Sequence, residues 1–273
     1  MLILKVWRIN MISLCLLLLS ASISWASPVV FPLRVVLSDK NKTAQVSLRH
    51  VGNKPTKYRI SLVYYIMSAD GSLKEEKVSS NEKLSARDLI RYSPKQVLLQ
   101  PNSEQIVRLI LRKPAGIAEG EYRIHMHFEE ELVDDATTTT ATADSGEFSM
   151  SLKPRLAVAI PVLVRQGAPM AKVRLSNLKL VTIEKTKQAI SLEIANDGNA
   201  NVYGDMKVYQ VLSDGQKKIV GEVYNVSSLT AKRKATFVLS EANNLDLTQK
   251  TKLFVELRQL KDDGGGILAT AEE

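Results

Sequence analysis

Between Glu147 and Arg165 the chain reads EFSMSLKPRLAVAIPVLVR, and two chemistries alternate along it for longer than an ordinary strand requires. Phe148, Met150, Leu152, Leu156, Val158 and Ile160 are even-numbered and apolar; Glu147, Ser149, Ser151, Lys153 and Arg155 are odd-numbered and polar. Successive strand side chains point to opposite faces, so this period of two predicts one long strand with an apolar row and a wet row. Pro154 falls on the apolar parity within the run. Proline has no N–H for a ladder, which places the strand at a sheet edge or splits it into two halves. A long apolar edge invites pairing with another chain and is normally blunted or covered. The sequence therefore reads as a scaffold that presents this strand to another polypeptide, a reading that requires the segment not to be paired on both edges within the monomer.

The remaining chain is a series of short strands separated by turn residues. Pro28 to Leu37 puts Val29, Phe31, Leu33 and Val35 on one parity and Arg34 on the other, and its prolines mark an edge strand or one that changes sheets. Gln45 to Val51 alternates again, and Tyr58 to Met67 has Ile60, Leu62, Tyr64 and Ile66 as its core row. Asp70-Gly71 then supplies the positive-φ positions of a tight turn. Residues 72–90 are polar and weakly patterned, with a short helix over Asn81 to Leu89 as the one element suggested. Two short strands flank Pro101-Asn102, the second with Val107, Leu109 and Leu111 on one face and Arg108 and Arg112 on the other. GEYRIHMHFEEEL places Tyr122, Ile124, Met126 and Phe128 inward and Glu121, Arg123, His125, His127 and Glu129 outward. DDATTTTATADSG, ahead of Glu147, is too small and polar to pack.

After Arg165, QGAP forms a hinge and a second series begins: 172–183, 188–195, 202–212, 219–226, 235–239 and 252–260, with Ile190, Leu192 and Ile194 as a clean core row. Many short strands with turn chemistry between them and almost no helical period predict an all-β chain of two β-sandwiches, spanning 27–165 and 166–273.

The first 26 residues are read as a leader. Lys5 and Arg8 precede the apolar run LCLLLLSASI, and Ser24-Trp25-Ala26 offers small residues for cleavage after Ala26. The mature chain is then exported, with no membrane insertion after cleavage. The single cysteine, Cys15, leaves with the leader, which excludes disulfide scaffolds and cysteine-based zinc sites. Losing Lys5 and Arg8 lowers the formal charge of +8 by two. No basic patch interleaved with aromatics accompanies this mild excess, so nucleic acid is not an expected partner.

Three segments carry a family resemblance: RYSPKQVLLQPNSEQIVRLILRKP, AIPVLVR and NDGNANVYG. In order and spacing they resemble the periplasmic chaperones of the chaperone–usher pathway, and the resemblance covers nearly the whole mature chain. It implies two immunoglobulin-like sandwiches in an L shape with a cleft between them. It implies a periplasmic location, pilus subunits (pilins) as clients, and an outer-membrane usher as the second partner. It also implies donor-strand complementation, in which alternate side chains of the chaperone's strand fill an apolar groove of an incomplete subunit; this recognition mode is a known one. The row that matches the donor strand is Phe148, Met150, Leu152, Leu156, Val158 and Ile160. Arg34, in LRVVL, matches the family arginine that anchors a client carboxylate, whereas Pro161 stands where the family has its lysine; Lys153 and Arg155 are weak substitutes. Glu121, Arg165 and Asp262 match an interdomain ion-pair network. The long connection before the donor strand and the segment GEYRIHMHF resemble the long-loop or archaic branch.

Two other classes remain open at this point. His125 and His127, two apart on one face, with His50 as a distant third, could bind a metal in an enzyme, although no carboxylate–His pair or Gly-framed serine accompanies them. A fibre subunit would begin with a donor extension and lack a strand, whereas this mature chain opens on a patterned strand and supplies its own last one. The reading adopted is a non-enzymatic chaperone with no cofactor and no metal.

Overall fold

The computed structural model describes residues 28–76, 85–131, 156–240, 245 and 252–273. The leader, Phe148, Met150, Leu152, Lys153, Pro154 and Arg155 lie outside the described residues.

The fold is all-β. The first set of strands comprises β1 (Val29–Phe31), β2 (Val35–Leu37), β3 (Thr43–Arg49), β4 (Thr56–Met67), β5 (Leu73–Glu76), β6 (Ile90–Ser93), β7 (Gln96–Leu99), β8 (Glu104–Leu111), β9 (Gly120–Glu131) and β10 (Ala157–Gln166). One sheet runs β1-β3-β8-β6 and the other β2-β10-β9-β4-β5, with β7 also on β4. Two such sheets with strands entering from both halves of the sequence are the arrangement of an immunoglobulin-like sandwich. The segment Pro28 to Leu37 changes sheets between β1 and β2. Its odd-numbered apolar row does not face the core at first: Phe31 and Leu33 are 72% and 67% exposed while Val30 is buried. Inward packing of the odd positions resumes at Val35 and Leu37, after the crossing.

The core between these sheets is built from the expected alternations. Ile60 and Tyr64 of β4, Val107, Leu109 and Leu111 of β8, and Ile124, Met126 and Phe128 of β9 are all buried in it. On β4 the row breaks at its end, where Ile66 is exposed and Met67 is buried instead. The helix suggested over 81–89 is, within its described part, a single 3-10 turn, Arg87–Leu89. Asp70-Gly71 makes its turn with Gly71 at φ 86°, and Asp70 Oδ1 accepts from both the Ser72 N–H and its hydroxyl.

The second set comprises β11 (Val173–Ile183), β12 (Lys187–Asn196), β13 (Val202–Val211), β14 (Lys217–Ser228), β15 (Lys232–Val238), β16 (Lys252–Gln259) and β17 (Ile267–Glu272). Sheets β11-β12-β15 and β14-β13-β16-β17 enclose a separate core that includes Ile190, Leu192 and Ile194. β17 was not read from the sequence, because ILATAE carries little apolar alternation; it pairs with β16.

Among the described residues the two sandwiches touch around Met67 and Ala69 and around Glu121. The Leu229 N–H points at Met67 Sδ at 3.4 Å and the Lys234 N–H donates to the Ala69 carbonyl at 2.6 Å, which explains the burial of Met67 at the end of β4. On the other side the Glu121 N–H donates to the Asn199 carbonyl at 3.0 Å.

Candidate functional site

β10 pairs with β9 along its whole length, from Ala157 opposite Glu129 to Gln166 opposite Gly120. Its other side meets β2 only from Val162 to Val164. Val162–Val164 is therefore held on both edges, and for these residues the expectation of a free edge is corrected: the crossing strand β2 closes them. Ala157 to Pro161 has one neighbour among the described residues, leaving the other edge open. Pro161, immediately before the pairing with β2 begins, fits this boundary because it has no N–H to lose on the unpaired side.

The apolar row divides in the same region. Ile160 is 2% exposed and belongs to the core of its own sandwich, which corrects its assignment to a surface offered outward: it lies opposite Met126 in the register and packs inward with it. Val158 is half-buried and packs against the same core, so it too serves its own domain. Leu156, half-buried at the start of the described strand, is the member of the row nearest the open end. Its carbonyl accepts from the Glu130 N–H at 3.1 Å.

A polar cluster lies where β9 and β10 meet the second sandwich. The Glu121 carboxylate, buried on β9, sits opposite Arg165 in the strand register and accepts from Arg165 Nε at 3.0 Å. Its other oxygen accepts from the Asn201 N–H and side-chain amide at 3.1 and 2.8 Å. Arg165 Nη1 reaches Asp263 Oδ1 at 2.8 Å, and Asp263 Oδ2 accepts from Arg34 Nη1 at 2.5 Å. The carboxylate in the network is thus Asp263 and not Asp262, which is exposed. Both lie in the 3-10 turn Lys261–Asp263, where consecutive side chains diverge by about a third of a turn, so a one-residue offset decides which faces the arginines. Arg34, expected to be available to a client, is bonded to the chain's own carboxylate.

These contacts shift the titrating groups. Burial would raise the Asp263 carboxyl, but hydrogen bonds from Arg165 and Arg34 outweigh it and hold it below the usual carboxylate range. Burial would lower Arg165, and the bonds to Asp263 and Glu121 carry it the other way. A desolvated Arg–carboxylate network of this kind fixes geometry more than it adds stability.

The outward face of β9 was expected to be wet, yet Glu121, Arg123 and His125 are buried, because residues 199–203 and neighbouring elements cover it. His125 stacks edge-on against Tyr65 with centroids 5.0 Å apart, and burial, then the charges of Arg123 and His127, lower its pKa to about 4. His50 is held by Tyr58 Oη at 2.9 Å and the Lys54 carbonyl at 2.7 Å. Among the described residues no three His, Asp or Glu side chains gather as metal ligands. Asn201 and Tyr203, which complete the cluster, were missed; the turn NDGNANVYG was the only local signal for them.

No family model matches the chain and no curated relative matches it. Solved structures do. The chain is similar to fimbrial chaperones. The YadV chaperone is 14% identical, with 90% of this chain and 100% of that one covered and a TM-score of 0.47. A chaperone–tip adhesin complex of CFA/I fimbriae gives 13%, 91%, 98% and 0.46. The Salmonella enterica SafB chaperone in complex with the SafA pilin gives 13%, 92%, 98% and 0.45.

Proposed function

We propose that the chain is a periplasmic chaperone that binds an incomplete fibre subunit by adding its own strand to the subunit's sheet, and delivers it to an outer-membrane usher. One observation carries this reading: among the described residues, β10 has no neighbour on one edge from Ala157 to Pro161, at the end of a run whose apolar row continues upstream in the sequence through Leu152, Met150 and Phe148. An open edge offers main-chain hydrogen bonds, and alternate side chains offer pocket contacts. Each apolar side chain fully buried in a groove is worth roughly 1.5–3 kcal/mol before ordering costs, so three or four can hold a subunit that is unstable alone. The segment resemblance supports the same reading, as do the two sandwiches joined through Glu121, Arg165 and Asp263.

The test is co-purification of the tagged mature protein from the periplasm with the secreted proteins of its own operon. Wild type is expected to bring down a small β-rich subunit that Met150→Asp loses, since a charge enters an apolar pocket at high cost. A subunit bound equally to both would remove the strand from the interface.

A further inference from the structure

The outward face of the sheet β1-β3-β8-β6 carries exposed apolar side chains and arginines side by side. At its edge, Val29 and Phe31 of β1 are 50% and 72% exposed. Phe31 lies opposite Ser47 of β3, which lies opposite Ile106 of β8, so Phe31 and Ile106 share one row across the sheet. Further along β8, Ile110 is exposed as well. Among these stand the arginines. Arg49 lies opposite Val29, Arg108 opposite Gln45 and Ser93, and Arg91 opposite Ile110; Arg112 keeps the parity of Arg108 just past the end of β8, and all four are exposed. Among the described residues none of them is paired with a carboxylate. Arg91 donates to the carbonyls of Asp88 and Ile90. Glu104, the acid on this face, stands opposite Arg49 but accepts from the Ser47 hydroxyl at 2.7 Å.

The face therefore sets four guanidinium groups against one carboxylate, with a phenyl ring projecting at its edge. Guanidinium forks match the oxygens of phosphate, and an exposed phenyl gains by leaving water. Together they suit the headgroup layer of an anionic bilayer, where basic side chains meet phosphates and an aromatic ring enters the acyl boundary. The layout of the chain favours a bilayer over an acidic protein. The apolar run of the leader ends at Ile23, six residues before Val29, and a stretch of that length spans at most about 20 Å. While the leader stays in a membrane, β1 and the face it borders are held within that distance of it.

We propose that the outward face of β1-β3-β8-β6 docks on an anionic phospholipid bilayer, with Phe31 entering the interface and Arg49, Arg91, Arg108 and Arg112 receiving lipid phosphates. That the chain meets a membrane rests on the leader reading; the affinity of the face for lipid does not. β10 belongs to the opposite sheet, so lipid on this face leaves the edge from Ala157 to Pro161 accessible to a subunit.

The experiment uses the chain from Ser27 onward. Trp7 and Trp25 both precede Ser27, so Phe31→Trp places the one tryptophan of that chain in the proposed contact. With vesicles of equimolar phosphatidylglycerol and phosphatidylcholine, its emission is expected to shift to shorter wavelength and to be quenched by brominated lipid; with pure phosphatidylcholine it is expected to stay unchanged. In co-sedimentation with the mixed vesicles, Arg108→Gln is expected to weaken binding about fivefold, the share of one basic residue at an anionic surface, and Arg49→Glu, which reverses a charge, about twenty-five-fold. Phe31→Ser is expected to weaken it at least about tenfold. Lys218→Glu makes the same change of net charge at an exposed position on the second sandwich and is expected to leave binding nearly unchanged. No binding to the mixed vesicles, equal binding to pure phosphatidylcholine, a tryptophan emission that does not move, or equal losses in Arg49→Glu and Lys218→Glu overturns the proposal. So does binding to soluble poly-L-glutamate as tight as to vesicles, which would make the face a site for an acidic protein. No subunit is present in these measurements, so co-purification can fail while they succeed, or the reverse, and the two readings fall separately.

Discussion

Arg34 Nη1 donates to Asp263 Oδ2 at 2.5 Å, so an arginine at the sheet crossing of the first sandwich is bound to a carboxylate of the second. Asp263 also holds Arg165, and through Arg165 it reaches Glu121. One side chain thus ties the 3-10 turn of the second domain to the β1–β2 crossing and to β10 of the first.

Removing Asp263 leaves Arg34 without its carboxylate and Arg165 with Glu121 alone. Asp263→Ala is expected to lower stability by about 3 kcal/mol, the scale for breaking a largely buried pair, and to broaden the distribution of domain orientations seen by small-angle scattering. Asp262→Ala, at an exposed position, is expected to leave both unchanged. Because the folded Asp263 carboxyl is held below its unfolded value, its contribution is present above pH about 4 and is lost as pH falls through the folded value. Asp263→Asn is expected to flatten the stability curve in that acid range, measured by urea unfolding at several pH values.

The apolar row of β10 makes a second prediction because its members do different jobs. Ile160→Ala opens a cavity in the core and is expected to cost about 2–4 kcal/mol. Leu156→Ala, nearer the open end, is expected to change stability little and to reduce subunit capture. Chemical denaturation and co-purification, run on both variants, separate the two roles.

His125 gives a pH dependence of its own. Burial beside Arg123 and His127 lowers its pKa to about 4, so between pH about 6.5 and 4 the unfolded chain binds a proton that the folded one does not. Stability therefore falls as pH drops through that window, by on the order of 3 kcal/mol in all. His125→Phe is expected to remove this component while leaving the steeper loss below pH 4, read by the same unfolding series.

Tyr58 is buried with its hydroxyl bonded to His50 Nδ1 at 2.9 Å and to Glu130 Oε1 at 3.3 Å. Tyr58→Phe leaves His50 short of a partner and is expected to cost about 1–2 kcal/mol, seen as a lower urea midpoint with an unchanged slope.

The all-β fold was legible because its signals are local. Val107, Leu109 and Leu111, or Ile190, Leu192 and Ile194, declare a buried face by period two alone, and Asp70-Gly71 declares a turn by its chemistry. What alternation does not say is which outward face another element will cover. Arg123 and His125 read as wet positions, yet Asn201, some eighty positions later, bonds Arg123, and Tyr65 stacks against His125. The crossing of Pro28 to Leu37 was legible in its prolines, but not the exposure of Phe31 and Leu33. In the ion-pair network, Glu121 and Arg165 face each other by strand register, whereas choosing between Asp262 and Asp263 depends on a 3-10 turn that no periodicity announces. Tyr203 left no signal beyond its place after a turn, and its unsatisfied hydroxyl is visible only with the fold assembled.

On the proposed function, the edge of β10 that has no neighbour among the described residues becomes a paired edge when a subunit is bound. Amide hydrogen exchange over Ala157–Ile160, compared between the free protein and the co-purified complex, tests it most directly. The amides that point away from β9 are expected to exchange quickly in the free protein and to gain protection of at least about a hundredfold in the complex, as for amides taken into a stable ladder. Unchanged exchange along this segment, in a complex that is otherwise intact, would contradict the account.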